Sequence, residues 1–134
     1  MSFEQDYVMR LIHEMIRMLV KLLFNIDMDR PTFQIIDEMD DNSMLRRLIK
    51  MIDDGHINEA ENQLYDIIEC GDYNSEHDNS ENNNLKIGLL FYDYLNEKNN
   101  DFLEEHDYSR EEVEEGVKNL ISIYGLSDMV NTLL

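Results

Sequence analysis

The chain has 134 residues, 43% of them hydrophobic, which suits one domain with one buried core. Thirty acidic against eleven basic residues give a formal net charge of −19. That balance argues against the phosphate backbone of nucleic acid and against anionic membrane surfaces, because both need clustered cations. Cys70 is the only cysteine, so an intramolecular disulfide and a Cys-based zinc cluster are excluded.

One proline, five glycines and few β-branched runs point to an all-α chain. The start, MSFEQDY, is acidic where a secretory signal is basic, and Arg17 and Lys21 interrupt the most apolar region. The expectation is a cytoplasmic protein with no membrane span.

The first helix is expected over residues 5–25. Val8, Ile12, Met15, Leu19, Leu22 and Ile26 step by three and four, and Leu11, Met18, Val20, Leu23 and Phe24 widen the stripe. Arg10, Arg17 and Lys21, with Glu14, leave the span 10–21 at +2 in a protein of −19. This helix reads as the central core element. The alternatives are a homodimer seam, with Leu11, Met18 and Leu22 facing a twofold mate, and an interfacial membrane helix, which the surrounding acid weakens.

Residues 27–42 read as a connector holding one short helix opened by Pro31, with Phe33, Ile36 and Met39 on its apolar side. The acids Asp37, Glu38, Asp40 and Asp41 that follow read as a solvated edge. From Ser43 to Glu69 the pattern is a helical hairpin. Leu45, Leu48, Ile49 and Ile52 line the first helix, Gly55 suits a left-handed helix end, and Asn58 with Glu61 resembles a capping box for a second helix carrying Ala60, Leu64, Ile67 and Ile68.

Gly71 is expected to end that hairpin, and residues 72–84, DYNSEHDNSENNN, to form a flexible acidic Asn-rich loop. Its acids mimic a calcium loop only superficially, since His77 stands where an EF-hand needs Gly and Asn83 where it needs Glu. A further helix begins at Leu85 with Ile87, Leu90, Phe91, Tyr94 and Leu95, kinking near Asn99 and Asn100. Gly88 reads equally as a close approach for another helix or as a plain loss of helix propensity. Ser109 and Glu112 form a second capping box for a helix through Val113, Val117, Leu120 and Ile121, and Ser127 starts a last short helix.

No catalytic, cofactor-binding or metal-ligating residue stands out. His13, His56, His77 and His106 fall in four separate elements, so no two share the i, i+4 spacing of a zinc-binding helix. Cys70 sits at a helix end, where the dipole opposes thiolate formation. There is no Gly-rich phosphate loop and no GxSxG. The expected protein is therefore not an enzyme.

The junction Gly55-His56-Ile57-Asn58-Glu59-Ala60 resembles that of a tetratricopeptide repeat, although Leu48 occupies the small position of the first helix. His106-Asp107-Tyr108-Ser109-Arg110-Glu111 is a degenerate echo. One hairpin and one echo cannot build a solenoid, so the expected fold is a compact bundle of antiparallel helical hairpins, tetratricopeptide-like, with about five to seven helices. The stretches DYVMRLIHEMIRMLVKLLF, INEAENQLYDIIE and LLFYDYLNEKNNDFLEEHDYSREEVEEG resemble a family of short acidic proteins of Gram-positive bacteria catalogued as a domain of unknown function. The resemblance implies helix and cytoplasm, with no activity, ligand or site residue.

The leading functional expectation is a helical protein-interaction module. A groove between the 43–69 hairpin and the 85–124 helices would hold a segment of a basic partner, with Tyr65, Tyr92 and Tyr94 as contacts. Beside it stand the homodimer and an acidic mimic of DNA.

Overall fold

Residues 87–95, IGLLFYDYL, carry no Lys or Arg and a single carboxylate, so no side of a helix built from them can face water at low cost. In the computed structural model, which describes residues 2–39, 42–70 and 79–133, this stretch lies in the fifth of eight helices. These are α1 (Ser2–Phe24), α2 (Thr32–Asp37), α3 (Ser43–Asp53), α4 (Ile57–Cys70), α5 (Asn79–Asn96), α6 (Asn100–Glu105), α7 (Arg110–Ile123) and α8 (Ser127–Leu133). The protein is an all-α bundle, and no strand occurs among the described residues.

The hub is α5. It packs on α1, α2, α3, α4 and α7, while α1 adds contacts to α7, α3 pairs with α4, and α8 lies on α7. Leu89, Leu90, Phe91, Tyr92 and Leu95 are all fully buried. The expectation that α1 is the central helix is corrected. One face of α1, Ile12, Met15, Ile16, Leu19 and Val20, is buried, but Tyr7 and Leu22 stay exposed, because the intervening Arg10, Glu14, Arg17 and Lys21 keep that side in water.

The 43–69 hairpin forms as α3 and α4 around Gly55, whose φ of +91° is a conformation few side chains adopt. A Cβ there would also stand 2.5 Å from the His106 ring, so the turn is packed against the end of α6. Leu48 and Ala60 are both fully buried in the pair. Of the second capping box the Ser109 cap forms: Ser109 Oγ accepts from the Glu112 backbone N–H at 3.2 Å. The first box does not form. His56 closes the start of α4, its carbonyl accepting from Ala60 N–H at 2.9 Å, and Glu61 turns away to two tyrosines.

Two boundaries differ from expectation. α5 begins at Asn79 rather than Leu85, so residues 79–84 of the expected loop are helical, since extending a helix already anchored in the core adds a hydrogen bond per residue fixed. The remainder of that loop, 72–78 with its calcium-like acids and His77, and the Gly71 stop lie outside the described residues. At Asn99 the chain breaks rather than kinks, because the Asn99 side chain accepts from Phe102 N–H at 2.8 Å and starts α6 afresh.

Arg110 holds that break together. It is 3% exposed, and it donates to the backbone carbonyls of Asn96 at 2.7 Å and Lys98 at 2.8 Å and to Asn100 Oδ1 at 2.8 Å. These acceptors include carbonyls that the end of α5 leaves without helical partners. Burial pulls the Arg110 guanidinium below its ordinary value, yet an arginine stays charged there.

Candidate functional site

Between α4 and α7 runs a groove of about 530 Å³, lined by Glu61, Tyr65, Tyr108, Glu112, Glu115 and Asn119 among others. The helices can flank it because Gly116 faces the floor. A Cβ at residue 116 would lie 2.4 Å from Tyr92 Cε1, so glycine alone leaves room for that ring. Tyr92 is fully buried and stands edge-on to Phe91, with centroids 5.1 Å apart.

Polar contacts fix the floor. Tyr92 OH donates to Glu61 Oε2 at 2.5 Å, and Tyr108 OH donates to the same oxygen at 3.1 Å. Tyr65 OH meets Tyr92 OH at 3.1 Å and receives the Asn119 amide at 3.3 Å. Burial, reinforced by the Glu61 charge, pushes the Tyr92 and Tyr108 phenols far up, so both remain donors. The result is a carboxylate held by two tyrosines beneath a rim of further carboxylates, with Lys118 the cation of the lining, 3.2 Å from Glu114.

The three expected contact tyrosines separate. Tyr65 is half-buried on the groove wall. Tyr92 is buried beneath it, and the expectation that it meets a partner is corrected: with no exposed surface it acts by positioning Glu61 and Tyr65. Tyr94, two residues on and so on another side of α5, donates to Asp53 at 2.7 Å, with Lys98 Nζ 4.9 Å over its ring. Tyr94 is no part of this groove. On α1, Leu22 is exposed while Leu11 and Met18 are half-buried.

A second polar cluster joins residues far apart in sequence. His13 Nδ1 lies 2.9 Å from Asp93 Oδ1, and Thr32 Oγ1 reaches Asp93 Oδ2 at 2.6 Å and Glu97 Oε2 at 2.9 Å. Asp93 and Thr32 are buried. The hydrogen bond to Asp93 raises the His13 pKa against the opposing effect of burial. Burial and the neighbouring Asp93 raise the Glu97 pKa, while the hydrogen bonds that its carboxylate accepts from the Thr32 hydroxyl and backbone N–H oppose the rise. His13 and Glu97 open onto a cavity of about 610 Å³ that Tyr7, Met9, Arg10 and Leu11 also line.

There is no Ser, Thr or Cys among the described residues that line this cavity. Among the described residues, no three His, Cys, Asp or Glu side chains could hold a metal ion, and no helix is long and apolar enough to cross a membrane. Sequence reasoning missed Glu61, Tyr108, Gly116, Asp93 and Thr32. Only Asp93 left a signal, as the lone carboxylate within an apolar run.

A family of unknown function, DUF6483, has a model that matches residues 2–125, and the chain belongs to that family. Neither the curated proteins nor the solved structures give a match.

Proposed function

We propose that this member of the DUF6483 family is a non-enzymatic helical interaction module that holds a basic segment of a partner protein in the groove between α4 and α7. The observation that supports this reading is the juxtaposition of Glu61, Glu112 and Glu115 with the half-buried Tyr65 ring in one concave strip. A Lys or Arg side chain could lie along that ring with its head among the carboxylates. Glu61 is half-buried and already oriented by Tyr92 and Tyr108, which lowers the cost of ordering it on binding. The reading places the protein among binding proteins of the cell interior, where its charge also favours solubility.

The test is fluorescence anisotropy with a labelled Lys- and Arg-rich peptide at physiological salt. Replacing Glu112 and Glu115 by Lys should weaken binding by about tenfold or more. The same change at Glu104 and Glu105, exposed on α6, alters net charge equally and should do much less. Equal losses from the two pairs would mean that the peptide answers to overall charge, and the groove would lose its role.

A further inference from the structure

The outward side of α1 carries an apolar line that the bundle does not use. Tyr7, Leu11, Met18 and Leu22 follow steps of four, seven and four, which puts them along one stripe of the helix. Tyr7 is 61% and Leu22 57% exposed, and Leu11 and Met18 are half-buried between them. The stripe is about 22 Å long, four turns of helix. The cavity beside Tyr7, Leu11 and His13 continues it into a trough toward the end of α5.

Charge distinguishes the candidate occupants. Arg10, Arg17 and Lys21 lie along one edge of the stripe, against Glu14 as the single acid between residues 7 and 22. Arg17 meets Glu14 at 3.4 Å and Lys21 meets Asp27 at 3.0 Å, exposed pairs of the kind that contribute little. None of the ion pairs among the described residues uses Arg10.

A second copy fits poorly. In an antiparallel twofold pair, like edges meet, so the three cations would face their own images. In a parallel pair, that edge would lie over Met15 and Leu22, which offer no carboxylate. A basic helix meets the same repulsion. We propose that α1 docks an acidic amphipathic helix of a partner protein, its apolar seam on Tyr7, Leu11, Met18 and Leu22 and its Asp or Glu row along Arg10, Arg17 and Lys21. This surface is separate from the α4–α7 groove. The net charge of −19 opposes approach from a distance, but beyond about 8 Å it is largely screened at physiological salt, and the local edge decides at contact.

The experiment uses the full chain and two labelled helical peptides, one with Leu along its seam and Glu on its flanks, the other with Lys in place of Glu. The Glu peptide is expected to bind, against the overall charge of the protein. Leu22→Ser, at an exposed site, should weaken it by about tenfold. Arg10→Glu with Arg17→Glu should weaken the Glu peptide similarly and transfer the Leu22-dependent binding to the Lys peptide, a reversal that misfolding cannot produce. Absence of Glu-peptide binding, or binding indifferent to both variants, overturns the proposal. So does Leu22-dependent preference for the Lys peptide by the unaltered protein. Light scattering that finds a dimer dissolved by Leu22→Ser would give the stripe to a second copy instead, and would also overturn it.

Discussion

Gly116→Ala sets two effects of opposite sign against each other. In the interior of α7 alanine should be favoured over glycine by about 1 kcal/mol through helix propensity alone. The added methyl, however, would stand 2.4 Å from Tyr92 Cε1 and 2.6 Å from its Cζ and OH. The ring cannot slide away freely. It is fully buried against Phe91 and tied to Glu61 at 2.5 Å. Overpacking of this kind costs about 1–3 kcal/mol, and loosening a hydrogen bond to a carboxylate adds about 1.5–3 kcal/mol. The clash therefore wins, with a net loss of about 1.5–5 kcal/mol after the propensity gain. For a domain of this size that lowers Tm by roughly 5–20 °C.

Thermal unfolding followed by circular dichroism reads the change, with Gly88→Ala as a comparison. There the new methyl would meet Leu120 Cδ2 at 2.8 Å, the far end of a flexible side chain, so the loss should be smaller. If Gly116→Ala melts at or above the temperature of the unaltered protein, the Tyr92 ring is not pinned and does not form a fixed groove floor.

Three further outcomes follow from the polar core. Thr32→Val keeps the shape but removes the hydroxyl that bridges Asp93 and Glu97, and should cost about 1–3 kcal/mol in urea unfolding. Arg110→Met leaves the Asn96 and Lys98 carbonyls without their donor and should cost about 2–4 kcal/mol, with faster hydrogen exchange around the α5–α6 break. The third concerns pH. His13 has a raised folded-state pKa, so its contribution is complete below its ordinary value of 6.5 and disappears as pH rises through the raised one. Glu97 is raised too, and its contribution is likewise complete below 4.5 and lost on the way up. Urea midpoints should fall as pH rises above 6.5 and through the raised His13 pKa, and His13→Gln should flatten that decline. A decline unaltered in His13→Gln would refute the assignment to the His13–Asp93 pair.

What could be read from the sequence was local. The α3–α4 hairpin and the Ser109 cap rest on neighbouring residues or on backbone geometry, and each has a short-range signature. The hub role of α5 was hidden because apolar residues surround the helix, which leaves no periodicity to mark a preferred face. Glu61 sat in a capping-box pattern but spends its carboxylate on tyrosines of α5 and the α6–α7 turn, so tertiary bonds displaced a local rule. The His13–Asp93 contact joins residues 80 apart in the chain, and nothing near either one announces the other. Tyr92 looked like a recognition residue by type alone, whereas its position opposite a glycine decides that it is core.

The edge-on packing of Tyr92 against Phe91 also gives the molecule an optical handle. The chain has seven tyrosines and no tryptophan, so its near-ultraviolet signal comes from tyrosine and phenylalanine without an indole to mask them. A phenol fixed in one orientation, with its hydroxyl on a carboxylate, should contribute strongly to near-ultraviolet dichroism, which vanishes when fixed packing is lost. Because Tyr65 touches Tyr92 and also walls the α4–α7 groove, a cation entering there would disturb that band while helix content stays constant. Occupancy could then be followed on the unlabelled protein.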